Sequence, residues 1–253
     1  MMLSARELAV AAGGRTLCRG LDLSLRPGEV VAVLGRNGSG KTTLVHTLAG
    51  VRAPQGGAVE LEGRVLGGFS RRALGRALGV LPQFDDQAYW GSVREYVTLG
   101  RYPHARSPFG WNERDEAAVE QALAALELGA LAARSFVSLS GGERQRARIA
   151  QLWAQDPQFM LLDEPLQHLD LQHQSQVMEL VRRAAAGRKA LMLVLHDLGW
   201  AGRCDRVLLL FGDGRHACGS AADLLEAQRL EELYGCPLRA FGSGADRHFV
   251  PVI

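Results

Sequence analysis

Gly35-Arg-Asn-Gly-Ser-Gly-Lys-Thr-Thr43 fits the pattern G-x-x-x-x-G-K-[ST], with Gly35, Gly40, Lys41 and Thr42 in the fixed places. The residues before it, Glu29-Val-Val-Ala-Val-Leu34, form a valine-rich apolar run that reads as a buried strand. The residues after it, Leu44-Val-His-Thr-Leu-Ala49, carry apolar positions at helical spacing and stop at Gly50. Strand, glycine loop and helix start together are the context that gives this motif its meaning. Glycines let the backbone close around an anion, so the N–H groups from Gly35 through Asn37, Gly38, Ser39 and Gly40 to Thr43 are expected to face phosphate oxygens. The helix start adds the positive end of a dipole. Lys41 supplies a point charge for the β- and γ-phosphates, and the Thr42 hydroxyl suits Mg²⁺. Lys41 and Lys189 are the only lysines among 29 basic residues, so this chain places a compact ammonium where arginine serves almost everywhere else.

Composition narrows the class. With 253 residues the chain can bury a sizeable core as one large domain or a core with a subdomain. Hydrophobic residues make up 47% and charged residues 22%, as in ordinary globular proteins. A net charge of +2 with no basic run gives no reason to expect nucleic acid. Cys18, Cys204, Cys218 and Cys236 are scattered without a C-x-x-C pair and read as reduced thiols. The opening Met1-Met-Leu-Ser-Ala-Arg-Glu-Leu8 is too polar for a signal peptide, and no apolar stretch reaches bilayer length. Any membrane role is expected to run through a partner.

Residues 1–28 read as a small β region, because Leu21, Leu23 and Leu25 alternate with polar residues before the Pro27-Gly28 turn. Residues 54–68 suggest a hairpin-like edge, and Arg71–Arg76 a short helix. Gly79-Val-Leu-Pro-Gln83 is a short strand ending at a glutamine. The stretch Gln87–Gly110 holds Tyr89, Trp90, Tyr96, Tyr102 and Phe109, with Ser92 as a helix cap. Residues 113–133 read as one strong helix.

In Ser138-Leu-Ser-Gly-Gly-Glu143, Ser140 and Glu143 fit a capping box, and the helix is expected to stop before Asp156-Pro157. With free N–H groups, Gly141 and Gly142 for close approach and a serine hydroxyl, this helix start is a second candidate anion site.

Phe159-Met-Leu-Leu-Asp-Glu164 is a buried strand ending in two carboxylates, which need a cation or donors when desolvated. Asp163 suits Mg²⁺, and Glu164 suits a base that activates water. Ala190–Leu195 is a further buried strand ending at His196, at the same kind of sheet end as Gly35 and Asp163, so His196 is read as a γ-phosphate contact. Residues 173–186 and 220–235 read as helices, and the tail from Gly242 as irregular.

Together these stretches resemble the nucleotide-binding subunit of ATP-binding cassette (ABC) transporters along nearly the whole chain. Gly35–Thr43 matches that family's Walker A, Gln83 its Q-loop glutamine, Leu139–Glu143 its signature, Phe159–Glu164 its Walker B with the catalytic glutamate, Leu169-Asp170 the end of its D-loop and His196 its switch histidine. The resemblance implies an α/β fold: a RecA-like P-loop NTPase core with an N-terminal antiparallel β subdomain. A helical subdomain, residues 85–155, lies between the Q-loop and the signature, with 1–84 and 156–253 forming the core. It implies ATP and Mg²⁺, with Lys41, Glu164 and His196 in catalysis and Thr42, Gln83 and Asp163 at the metal.

The resemblance also implies a head-to-tail pair of identical subunits. In that pair, Ser140, Gly141 and Gly142 of one subunit close over the nucleotide held by Gly35–Thr43 of the other. Permease subunits would dock on the helical insert, with a periplasmic substrate-binding protein as an indirect partner. That places the chain at the cytoplasmic face of the cell membrane. Two departures stand out. Ala9–Arg15 contains no aromatic to stack on adenine, leaving Arg15 as the nearby candidate, and Leu166 stands where threonine or serine is common in the D-loop. Gly100-Arg-Tyr-Pro-His104 looks like the motif of iron-siderophore, haem and vitamin B12 importer ATPases. An exporter ATPase is the alternative, as is a soluble ABC-type ATPase acting on DNA or ribosomes.

Overall fold

The computed structural model describes residues 1–83, 89–105, 110–242 and 247–252. Strands β1 (Leu3–Ala12) and β2 (Arg15–Leu25) precede β3 (Val30–Leu34) and helix α1 (Lys41–Leu48). Then come β4 (Gly56–Leu61), β5 (Arg64–Val65), α2 (Arg71–Ala77) and β6 (Leu78–Leu81). Helices α3 (Val93–Thr98), α4 (Glu113–Ala125) and α5 (Gly141–Gln155) lead to β7 (Phe159–Asp163). After α6 (Leu171–Ala186) the chain runs through β8 (Ala190–Val194), α7 (Leu198–Ala201), β9 (Arg206–Leu210) and β10 (His216–Ser220). It closes with α8 (Ala221–Leu224), α9 (Ala227–Tyr234), β11 (Leu238–Phe241) and β12 (His248–Pro251).

The main sheet has the order β10-β9-β3-β8-β7-β6. Its strands are parallel from β9 to β6, and β10 joins antiparallel at the edge. Every residue of β3, β7 and β8 is buried, as a parallel sheet covered on both faces requires. The period of two divides these residues between two cores. Val30, Ala32, Leu34, Met160, Leu162, Leu191 and Leu193 face the helices, whereas Val31, Val33, Phe159, Leu161, Met192 and Val194 face α1 and the antiparallel sheet β2-β1-β4-β5. The expected β subdomain and P-loop NTPase core are both present.

Three readings need correction. The helix expected over 113–133 ends at Ala125, because Glu127 turns into the left-handed region (φ 53°). That turn buries both Leu126 and Leu128, and the Arg146 guanidinium donates to the Leu126 and Glu127 carbonyls at 2.8 and 3.3 Å in place of further helix. The tail from Gly242, read as irregular, contains β12, which pairs with β11 from Leu238↔Pro251 to Phe241↔His248. Four-residue strands with mixed polarity give no alternation to read, so pairing and the packing of Phe249 on the core decide the strand. The helix expected over 220–235 is broken in two at Leu225-Glu226. Of the aromatic stretch, Phe109 lies outside the described residues, as does Gln87.

Gly100–His104 forms a joint. A Cβ on Gly100 would lie 2.2 Å from the Gln151 carbonyl, so only glycine lets this turn lie on α5. Buried Arg101 donates to Asp115 Oδ1 at 2.9 Å and to the Ala154 carbonyl at 2.6 Å, tying α4 to the end of α5. His104 Nε2 lies 2.8 Å from the Gln155 carbonyl, and the Pro103 carbonyl accepts from Arg72 and Arg76 of α2. Removing one partner of a buried ion pair strands the other charge. Asp115→Ala, which also deletes part of the α4 capping box, is expected to destabilise the fold by about 3 kcal/mol or more in urea unfolding. Burial opposes ionisation of Asp115, but the Asn112 amide and Arg101 outweigh it and hold its carboxyl below the ordinary value. Its contribution is therefore present above the unfolded pKa and lost as pH falls through the folded one, a loss the variant should not show.

Candidate functional site

Because β3, β6, β7 and β8 run parallel, their carboxyl ends lie along one edge of the sheet. A cleft of about 600 Å³ opens there, lined by Asn37, Gly38, Gly40, Lys41, Thr42 and Thr43, with Gln83, Glu164 and His196 opposite. The loop after β3 depends on its glycines. Gly40 caps α1 at φ 102°, and a Cβ there would meet Leu17 at 2.8 Å. A Cβ on Gly35 would lie 2.4 Å from Ser39 Oγ and 2.5 Å from the Leu210 carbonyl. No side chain caps α1, so its first N–H groups are open to an anion.

The ionisable groups are tightly constrained. Lys41 is buried, and its ammonium donates to the Gly35 and Arg36 carbonyls at 2.9 and 3.1 Å. Burial lowers its pKa, while the Glu164 and Asp163 charges oppose that shift. Asp163 is 1% exposed, and neither carboxylate oxygen has a hydrogen-bond partner. Burial raises its pKa, the nearby Thr42 hydroxyl opposes, and the Glu164 charge raises it further. Glu164 follows at φ 53°, left-handed backbone that a glutamate adopts only when its surroundings hold it there. Its carboxylate takes His196 Nε2 at 2.8 Å on Oε1 and the Gln167 amide on Oε2. The Thr42 hydroxyl lies 3.4 Å from Gln83 Oε1.

The residues read from the sequence thus divide into two groups. Lys41, Thr42, Gln83, Glu164 and His196 converge on the cleft, with Gly35, Ser39 and Asp163 packed behind it. Ser140, Gly141 and Gly142 do not line it. Ser140 caps α5 with a complete capping box to Glu143, and Ser140 and Gly141 are exposed. A Cβ on Gly142 would lie 2.9 Å from the His168 carbonyl, so this turn packs on the segment after Glu164. Gln167 was missed in the sequence, where nothing but its distance from Glu164 marks it. Arg15 lines the far end of the cleft beside Ala12, tethered to the Gly212 carbonyl at 2.6 Å.

Asp163 and its neighbours supply hard oxygen donors suited to Mg²⁺: a carboxylate with both oxygens unpartnered, the Thr42 hydroxyl and the Gln83 amide oxygen. Among the described residues no cluster of three or more His, Cys, Asp or Glu could hold a metal by itself. A buried carboxylate without donors costs stability. Because its folded pKa is raised, the folded chain binds this proton more readily than the unfolded chain, and stability from Asp163 grows as pH falls through the carboxylate range. Asp163→Asn is expected to stabilise the isolated chain by about 1 kcal/mol, roughly 2–4 °C in Tm. It should also remove this acid-side gain. A lower Tm in calorimetry at neutral pH would show that the carboxylate is satisfied in solution.

Residues 18–167, more than half of the chain, match the ABC transporter family. The hemin import ATP-binding protein HmuV of Pseudomonas aeruginosa is 40% identical over 240 residues, covering 92% of both chains. The achromobactin transport ATP-binding protein CbrD of Dickeya dadantii is 37% identical over 239 residues, covering 94% of this chain and 89% of its own. A solved metal-chelate type ABC transporter in an inward-facing conformation superposes with a TM-score of 0.84 at 30% identity, covering 99% of this chain and 97% of that one. With a phosphate-binding loop, two carboxylates and a histidine assembled at one sheet edge, and with these relatives, the chain belongs to the ABC transporter family as an ATP-hydrolysing ATP-binding cassette.

Proposed function

We propose that this chain is the ATPase subunit of an importer that carries a metal chelate, such as haem, an iron-siderophore or cobalamin, through partner permease subunits. The observation that carries the reading is the convergence of Lys41, Thr42, Gln83, Glu164 and His196 on one cleft. The relatives named for hemin and achromobactin import, and the resemblance of Gly100–His104 to a motif of such importers, support the substrate class. No helix among the described residues is long and apolar enough to cross a membrane; attachment in this reading runs through the permease at the cytoplasmic face.

In this reading the N–H groups from Gly38 to Thr43 and the Lys41 ammonium bind the β- and γ-phosphates of ATP. Thr42, Gln83 and Asp163 would hold Mg²⁺, which neutralises phosphate charge when bound. Glu164 takes the proton of the attacking water, and His196, 2.8 Å from Glu164, both orients that carboxylate and reaches the γ-phosphate. Ser140, Gly141 and Gly142 do not line the cleft of their own chain, which fits a head-to-tail pair of subunits in which each supplies its partner's missing phosphate contacts. Residues 85–155 act as the helical subdomain that receives the permease.

Three variants test this. Lys41→Ala should abolish ATP binding measured by titration with a fluorescent analogue; unchanged affinity would remove the loop from nucleotide binding. Glu164→Gln should bind ATP yet turn over at least ~100-fold more slowly and accumulate as a dimer in size-exclusion chromatography. Normal turnover would exclude Glu164 as the base. Trp90, 80% exposed, offers the permease a surface that Tyr96, stacked 4.0 Å from Phe136, does not. Trp90→Ala in proteoliposomes with the permease should lose chelate uptake and keep basal ATPase; equal loss of both would place Trp90 in the fold instead.

A further inference from the structure

Helix α5 carries a second set of polar groups that the nucleotide reading does not use. Arg148 and Gln145 lie three residues apart, on one face of the helix, and are 8% and 4% exposed. The Arg148 guanidinium donates through Nη1 to the Gln83 carbonyl at 3.3 Å and to Gln145 Oε1 at 3.0 Å, and through Nη2 to the Pro82 carbonyl. The Gln145 amide in turn donates to the Glu164 carbonyl at 3.4 Å and the Pro165 carbonyl at 3.0 Å. Strand pairing between β6 and β7 extends to Leu81↔Leu162. Beyond that point Gln83 and Glu164 leave the sheet, and these two side chains take over the carbonyls that the ladder no longer serves.

Two features make this more than a cap. Arg148 forms no ion pair among the described residues, and its partners there are carbonyl and amide oxygens. A buried charge is retained at such a cost only where its donors are needed in a fixed geometry. Moreover, one of the carbonyls held belongs to Glu164, whose left-handed backbone has to be imposed from outside.

We propose that Arg148 and Gln145 are positioning residues that join Gln83 and Glu164 into one unit with α5, so that these two groups keep a fixed spacing across the cleft and respond together to whatever binds at the Ser140 end of the helix. The inference rests on the reading of Gln83 and Glu164 as nucleotide-facing groups. It assigns Arg148 no contact with the nucleotide.

The test compares the full-length wild type with Arg148→Met, Arg148→Lys and Gln145→Met. The readouts are steady-state MgATP hydrolysis, binding of a fluorescent ATP analogue and thermal unfolding. Misplacing catalytic groups lowers turnover more than binding, so Arg148→Met and Gln145→Met should lose at least about tenfold in kcat, with KM and analogue affinity within about threefold. Arg148→Lys keeps the charge but cannot bridge several oxygens, so it should recover Tm and leave kcat near the Arg148→Met value. The double variant Gln145→Met/Arg148→Met should be no slower than the slower single, because both act through one linkage.

Several results would overturn the proposal: kcat within about twofold of wild type, full recovery of kcat by lysine, or a kcat loss that disappears on assay at a temperature where all variants are folded. If Arg148→Met does not fold, Arg148→Lys and Gln145→Met carry the same split. A wild type that hydrolyses no MgATP overturns the ATPase reading and this inference together. A wild type that does, beside variants that match it, overturns this inference alone.

Discussion

Parallel strands deliver their last residues to the same edge of a sheet, and in this chain β3, β8, β7 and β6 each lead there to a group with chemistry. Gly35 opens the glycine loop after β3, His196 follows β8, Asp163 ends β7 with Glu164 next to it, and Gln83 follows β6. The constraint is covalent as much as it is energetic. Every residue of β3, β7 and β8 is buried, with alternate side chains committed to two different cores. Slipping one strand by a residue would exchange its two faces and displace its terminal group together. The same apolar packing that stabilises the sheet therefore sets the geometry of the cleft.

The site concentrates electrostatic cost at that edge. Lys41 and Asp163 are both buried, and burial shifts both toward their neutral forms. Lys41 rests on backbone carbonyls, while the Asp163 carboxylate has no hydrogen-bond partner. Such a pocket would gain if an anion reached the ammonium and a divalent cation the carboxylate, and under the proposed function MgATP would bring both at once. Stability given up in the free chain is returned on binding, which is a source of coupling between nucleotide and conformation.

Around this centre, arginine does structural work that its frequency alone would not suggest. Arg101 ties α4 to the end of α5, Arg146 ends α4, and Arg148 holds the strand exits beside Gln83. Each uses a planar fork to serve several oxygens from one side chain. The Gly100–His104 motif, which in the sequence speaks only of family habit, is in the structure the place where α2, α4 and α5 meet.

Much of this was legible in the sequence because it depends on local physics. A valine run, a glycine loop and a helical period identify the candidate phosphate site. S-x-x-E identifies the α5 cap, and an apolar strand ending in Asp163-Glu164 identifies the opposing carboxylates. Each of these signals spans fewer than about ten residues and rests on backbone propensity or capping. What depended on distant contacts was not legible. The end of α4 at Ala125 needs Arg146, the pairing of β11 with β12 needs partners on both strands, and Gln167 becomes a partner of Glu164 only through the left-handed backbone at Glu164. Only the tertiary structure separates Ser140, Gly141 and Gly142 from the cleft of their own chain. A helix start shows in the residues that cap it, whereas the direction it faces is fixed by packing against the segment that holds His168.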